Sequence, residues 1–187
     1  PIYSTFLQRA YDQIINDLCI NNSNALILVY RASIYGNKDM THLGFNDITM
    51  LGNMPNLMYL APTTVEELES SIRYGLEYHN HPIAIRIPVG SPIYETSQSN
   101  TTGCPVTSYD ITQSGSTIAI IGVGNFYHKA VELSHVIHDA MHISPTLVKP
   151  LCISSLDTDT LNKLRKNHNI VITLEDGELE GGYGQKI

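Results

Sequence analysis

Short, almost wholly apolar runs alternate along the chain with longer stretches in which apolar residues recur every three or four positions. The runs at 25–30 (ALILVY), 57–60, 82–87 (PIAIRI), 117–123 (TIAIIGV), 146–149 and 169–174 (NIVITL) predict strands. Most lack polar alternation, which is the pattern of strands buried on both faces. The longer periodic stretches predict helices over 4–20, 45–51, 65–77, 127–141 and 158–168. In Thr63-Thr64-Val65-Glu66-Glu67 a hydroxyl is followed three residues later by Glu, a capping box that marks the start of the 65–77 helix.

Alternating strands and helices predict an α/β fold with mostly parallel sheets. Between Gly90 and Gly115 the pattern gives way to Ser, Thr, Gly and Pro, and this stretch is read as a linker. The expected organisation is therefore two consecutive three-layer α/β domains, over 1–95 and 116–187, joined by residues 96–115. No internal repeat is visible. Residues 1–3 read as the end of an apolar strand and residues 182–187 as the start of a new element. On that reading both domains are truncated and the chain is a piece of something longer.

A length of 187 residues with 42% hydrophobic residues is enough for a sizeable core. Eleven Lys and Arg against eighteen Asp and Glu give a net charge of −7 with no basic run, which argues against nucleic acid as a partner. No apolar stretch reaches the roughly 20 residues of a membrane span, so no membrane partner is expected. Cys19, Cys104 and Cys152 are far apart and unpatterned, which suggests neither a disulfide framework nor a thiolate metal site. A soluble protein of a reducing, cytoplasmic compartment is expected.

Two clusters could carry chemistry. In YSTFLQRA, Tyr3 precedes the candidate N-cap Ser4, and Phe6 and Arg9 lie three apart on one helical face. A Phe offers a flat face to an aromatic ligand and an Arg a fork to phosphate or carboxylate. The plainer alternative is a buried hydrophobe and a surface Arg. In the second cluster, Arg31, Asp39, His42 and Asp47 put a cation, two carboxylates and an imidazole into the loop that follows strand 25–30. Ligands of open α/β sheets bind at the carboxyl ends of strands, although the same set could merely tie the loop down. His128, His135, His138 and His142 share a helical stripe, but Leu133, Val136, Ile137 and Ala140 would form the buried face. That stripe reads as solvated, and no metal ligands are assigned. Gly122-Val123-Gly124 and the glycines at 177, 181 and 182 fit no phosphate-loop pattern and read as tight turns.

Together YSTFLQRAYDQI, the R-A-x-x-x-G…T-H-x-G-x-x-D run from Arg31 to Asp47, M-P-N-L-x-x-x-A-P and PIAIRIPVG resemble the pyrimidine-binding domain of the 1-deoxy-D-xylulose-5-phosphate synthases. These are transketolase-like, thiamine-diphosphate-dependent enzymes. STIAIIGVG, VKPL and ITLEDGELEGGYG resemble the family's carboxyl-terminal domain. The resemblance implies thiamine diphosphate and Mg2+ as cofactors, pyruvate and glyceraldehyde 3-phosphate as substrates, and a homodimer. The reaction it implies removes CO2 from pyruvate and joins the remaining two carbons to the aldehyde, a step toward isoprenoids, thiamine and pyridoxal. Carried over residue by residue, Phe6 would stack on the aminopyrimidine and Arg9 would lie beside cofactor and donor. Tyr3 and Arg31 would hold the acceptor phosphate, and His42 would bond the acceptor and move protons as the catalytic residue.

The chain departs from the pattern at four places. Lys38 stands where the family has an Asp, which Asp39 replaces only if the loop shifts by one residue. Val89 stands for the Arg of P-R-G, Tyr30 for the Asp of D-R-A-G, and Ser33 for its Gly. A phosphate site lacking one Arg loses about 1.5–3 kcal/mol, roughly ten- to a hundredfold in affinity, which leaves room for another acceptor. The family's catalytic Glu and its G-D-G…N motif for Mg2+ and diphosphate precede YSTF and fall outside these residues, so the chain alone is expected to be inactive. Two alternatives stand beside this reading: a divergent non-catalytic paralogue, and the carboxyl-terminal subunit of a split transketolase.

Overall fold

The computed structural model describes residues 1–34, 40–77, 80–88, 90, 93 and 107–187. Asp39, Lys38 and Val89, named above, lie outside the described residues. Among the described residues two four-stranded sheets carry the fold. In the first, β1 (Ile2–Tyr3), β2 (Leu26–Ala32), β3 (Met58–Leu60) and β4 (Ile83–Pro88) lie in the order β1-β2-β4-β3, and every pair is parallel. In the second, β5 (Asp110–Gln113), β6 (Thr117–Gly122), β7 (Thr146–Lys149) and β8 (His168–Leu174) lie in the order β5-β7-β6-β8. There only the β5–β7 pair is antiparallel.

The apolar runs form strands where periodicity placed them, because Val29, Ile83, Ile85, Ile120, Ile121 and Val148 are shielded on both sheet faces. β5 was not expected, since it falls within the Ser/Thr-rich stretch. It is an edge strand with mostly exposed residues, so no apolar alternation marks it.

Helices cover both sheets. Val65–Glu77 packs Leu68 and Ile72 against Leu60, Ile83 and Ile85. The Thr64 hydroxyl accepts from the Glu67 N–H at 3.3 Å, while the Glu67 carboxylate accepts from the Thr63 N–H at 2.7 Å. The expected 4–20 helix changes its winding twice: it is a 3-10 helix over Ser4–Ala10, an α-helix over Tyr11–Gln13 and a wider π-helix over Ile14–Ile20. Asn16 and Asn21 donate to the Asp12 and Asn16 carbonyls, a side-chain competition that loosens the regular ladder. On Tyr127–Met141 the buried positions are Ala130 and Ser134, with Leu133 and Ile137 partly covered. Val136 is 62% exposed, contrary to expectation. His135, His138 and His142 face solvent, whereas His128 is half-buried beside the Thr63 carbonyl.

The two sheets share one core, in which Val29, Tyr59 and Ala84 join Ala119, Ile121, Val148 and Ile153. Residues 151–154 run along the edge of β3: Ala61 N–H donates to the Leu151 carbonyl and Ile153 N–H to the Tyr59 carbonyl, both at 2.8 Å. This covers a strand edge that would otherwise present unpaired groups. Among the described residues no helix is long and apolar enough to cross a membrane.

Candidate functional site

The carboxyl ends of β1 and β2 gather the side chains that the two sequence clusters singled out. Tyr3 ends β1 and pairs in register with Tyr30 on β2, so both rings stand on one face of the sheet, 5.9 Å apart. Phe6, one turn into the following helix, stacks on Tyr3 at 5.8 Å with the planes 12° apart. His42, in the short turn Met40–His42, meets Phe6 edge-on at 5.3 Å and 78°. The Arg9 guanidinium lies 5.4 Å from the centre of the Phe6 ring and that of Arg31 lies 5.0 Å from the centre of the Tyr3 ring. Each such cation–ring contact is worth about 0.5–1 kcal/mol at an exposed site. Tyr3, Phe6, Arg31 and His42 are half-buried and Arg9 is exposed.

A backbone irregularity brings Arg31 there. The β2–β4 register shifts between Tyr30 and Ala32, and Arg31 sits at φ 53°. In a regular strand Arg31 would point to the face opposite Tyr30; the bulge turns it over Tyr3. Ser33, with φ 99°, follows it and forms a two-residue bridge with Gly44. A Cβ at Gly44 would stand 2.4 Å from the Arg31 carbonyl oxygen and 2.8 Å from Ser4 Cβ, so only glycine lets the loop return this close to β2 and the helix start. The Thr5 hydroxyl donates to the Thr41 carbonyl at 3.1 Å, which pins the His42 turn on the same helix start. The Thr41 hydroxyl lies 3.0 Å from His42 Nδ1.

Asp47 does not reach this surface. It is 1% exposed and forms one side of a buried ion network in which Arg86 Nε donates to Asp47 Oδ2 at 2.7 Å and Arg86 Nη1 to Asp176 Oδ1 at 2.7 Å. Tyr59 also donates its hydroxyl to Asp47. Burial opposes the charge on Arg86, but Asp47 and then Asp176 outweigh it and hold the guanidinium protonated beyond its ordinary range. Burial, and after it the Asp47 carboxylate, pushes the Tyr59 hydroxyl well above its usual value. Another buried ion pair joins β7 to the Val65–Glu77 helix where Lys149 Nζ meets Glu67 Oε1 at 2.5 Å. Sequence reading found Glu67 as a cap and Asp47 as a loop carboxylate. It missed Arg86, Asn125, Asp176 and Lys149, whose partners lie up to 92 positions away.

Chemically, the mouth offers stacked rings for a planar heteroaromatic group, two guanidinium groups for anions and an imidazole for proton transfer. Among the described residues no three His, Cys, Asp or Glu side chains gather to hold a metal ion. A separate cleft of about 660 Å³ opens around Thr173, Glu175 and Glu178. None of the ring and guanidinium residues lines it, so it lacks their convergent chemistry.

A family model described as the transketolase pyrimidine binding domain matches residues 1–92, and one described as the transketolase C-terminal domain matches residues 108–187. The 1-deoxy-D-xylulose-5-phosphate synthase of Gloeothece citriformis is 36% identical over 190 residues, covering 100% of this chain and 29% of that enzyme. The enzyme of the same name from Alkaliphilus oremlandii is 36% identical over 184 residues, 98% of this chain and 29% of the relative. That from Clostridium perfringens is 32% identical over 186 residues, 100% of this chain and 30% of the relative. The chain thus spans under a third of the length of these relatives. Among solved structures, the inactive β4 tetramer of a split-gene transketolase superposes with a TM-score of 0.85 over 98% of this chain and 58% of its own. At 21% identity that match speaks for the fold.

Proposed function

The chain belongs to the transketolase family, and from that premise we propose that it is the pyrimidine-binding and carboxyl-terminal part of a 1-deoxy-D-xylulose-5-phosphate synthase. The complete enzyme condenses pyruvate with glyceraldehyde 3-phosphate and releases CO2. The observation that carries this reading is the contact of Phe6 with His42 at 5.3 Å, with Tyr3 and two guanidinium groups around it.

The site's chemistry suits thiamine diphosphate. Phe6 is half-buried against Tyr3, and Arg9 covers it from the solvent side without being buried itself, so a planar ring can take the place of that guanidinium. Phe6 holds the aminopyrimidine and Arg9 lies beside the donor carboxylate. The cofactor, when bound, supplies the stabilisation that lets pyruvate lose CO2. Tyr3 and Arg31 orient the acceptor through its phosphate, and orientation of the reacting partners is a large share of such a barrier. His42 bonds the acceptor and exchanges a proton with its developing hydroxyl. Mg2+, a homodimeric assembly and a cytoplasmic setting complete the reading, with the diphosphate and metal ligands outside these residues.

The test is turnover by the complete polypeptide. Pyruvate-dependent CO2 release that requires thiamine diphosphate and rises with glyceraldehyde 3-phosphate supports the reading. Cofactor binding without any CO2 release refutes it.

A further inference from the structure

We infer that Asn125 and Asp176, both outside the first sheet, are positioning residues that set where His42 stands, acting through Arg86 and the Ser33–Gly44 bridge. All five N–H donors of Arg86 are in use. Nε donates to Asp47 Oδ2 at 2.7 Å. Nη1 donates to Asp176 Oδ1 at 2.7 Å and to Asn125 Oδ1 at 3.3 Å, and Nη2 to the Gly44 carbonyl and Asp47 Oδ1, each at 3.4 Å. A guanidinium is a rigid planar fork, so shifting one of its partners tilts the rest.

Two routes lead from the second sheet's unit to the loop that carries His42. Asn125 accepts from Arg86 through Oδ1 and donates through Nδ2 to the Ser33 hydroxyl at 3.2 Å. Ser33 N–H in turn donates to the Gly44 carbonyl at 2.6 Å, and Gly44 N–H donates back to the Ser33 carbonyl at 3.2 Å. The Gly44 carbonyl therefore takes donors from both Ser33 and Arg86, two residues after His42. Asp176 sets the angle of the Arg86 fork, and its second oxygen, Oδ2, is buried with no hydrogen-bond partner among the described residues. Ser33 keeps φ 99° in this frame, a conformation that a serine holds only where its surroundings fix it.

The functional meaning of this coupling rests on His42 being the acceptor-facing group, but the geometry can be measured without turnover. His42 meets Phe6 edge-on, so its imidazole C–H protons carry a ring-current displacement, defined as the shift difference between wild type and Phe6→Leu. NMR spectra of the 187-residue chain should show Asn125→Ala removing at least half of that displacement and Asp176→Asn a comparable part. Exposed His135 should stay within noise. Should Asp176→Asn fail to fold, Asn125→Ala decides, because it leaves both carboxylates on Arg86. An unchanged His42 displacement in folded Asn125→Ala, whatever its melting temperature, overturns the inference. In the complete polypeptide Asn125→Ala should lower kcat severalfold at unchanged cofactor affinity. If the displacement falls but His42→Ala leaves turnover intact, the coupling stands and the catalytic reading of His42 fails.

Discussion

Arg31 lies over the ring of Tyr3, 5.0 Å from its centre, although the two residues come from different strands and regular pleating would send Arg31 to the other face. The bulge after Tyr30 is therefore a feature of the site. In the complete enzyme Arg31→Ala should raise KM for a phosphorylated aldehyde about ten- to a hundredfold, the loss of a charge-assisted contact worth about 1.5–3 kcal/mol, with little change in kcat. Steady-state kinetics with phosphorylated and unphosphorylated aldehydes checks this, and an equal effect on both speaks against a phosphate role.

Gly44→Ala places a methyl group where the Arg31 carbonyl, Ala32 Cα and Ser4 Cβ leave no room. Backbone has to move, so a cost of about 1–3 kcal/mol is expected, together with loss of the His42 contact to Phe6. Chemical denaturation and the His42 proton shifts measure the two effects.

Arg86→Leu strands Asp47 and Asp176, both at most 2% exposed, in the interior. Breaking a buried pair from one side costs about 3–5 kcal/mol, a large share of the roughly 5–15 kcal/mol that holds an ordinary domain folded. A variant as stable as wild type in urea would mean the network is better solvated than its burial indicates.

Asp157 caps helix Thr158–Asn167 by accepting from Thr160 N–H at 3.0 Å and Thr160 Oγ1 at 2.7 Å, and it also accepts from Tyr109 N–H at 2.9 Å. Its partial burial works toward a higher pKa, but these hydrogen bonds outweigh it and hold the carboxyl below the usual carboxylate value. A depressed folded pKa contributes stability that is present above the unfolded value, near 4, and fades as pH falls through the folded one. Asp157→Ala should cost about 1 kcal/mol at pH 7. The difference from wild type should shrink below about pH 4; thermal melts between pH 2 and 7 follow it.

Much of this fold could be read from the chain because its central strands are buried on both faces: PIAIRI and TIAIIGV have no competing pattern. The Thr63–Glu67 cap is equally local. β5 escaped notice because an exposed antiparallel edge has no apolar period. At the site, Tyr3, Phe6, Arg9, Arg31 and His42 are indeed brought together, since a helix start and a loop at neighbouring strand ends have to meet. Two things were illegible. The bulge at Arg31 is a backbone event with no residue signature, and Arg86 reads as a lone cation in an apolar strand because its partners lie 39 and 90 positions away.

The most direct measurement separates Phe6 from His42 in the complete polypeptide by cofactor affinity and turnover. Phe6→Leu should weaken thiamine diphosphate binding about tenfold or more, since stacking on an aromatic side chain is worth about 1–3 kcal/mol. His42→Ala should leave that affinity within about twofold while cutting product formation roughly 10²- to 10⁴-fold. If Phe6→Leu binds the cofactor as wild type does, or His42→Ala turns over as wild type does, the assignment of this mouth to catalysis is wrong.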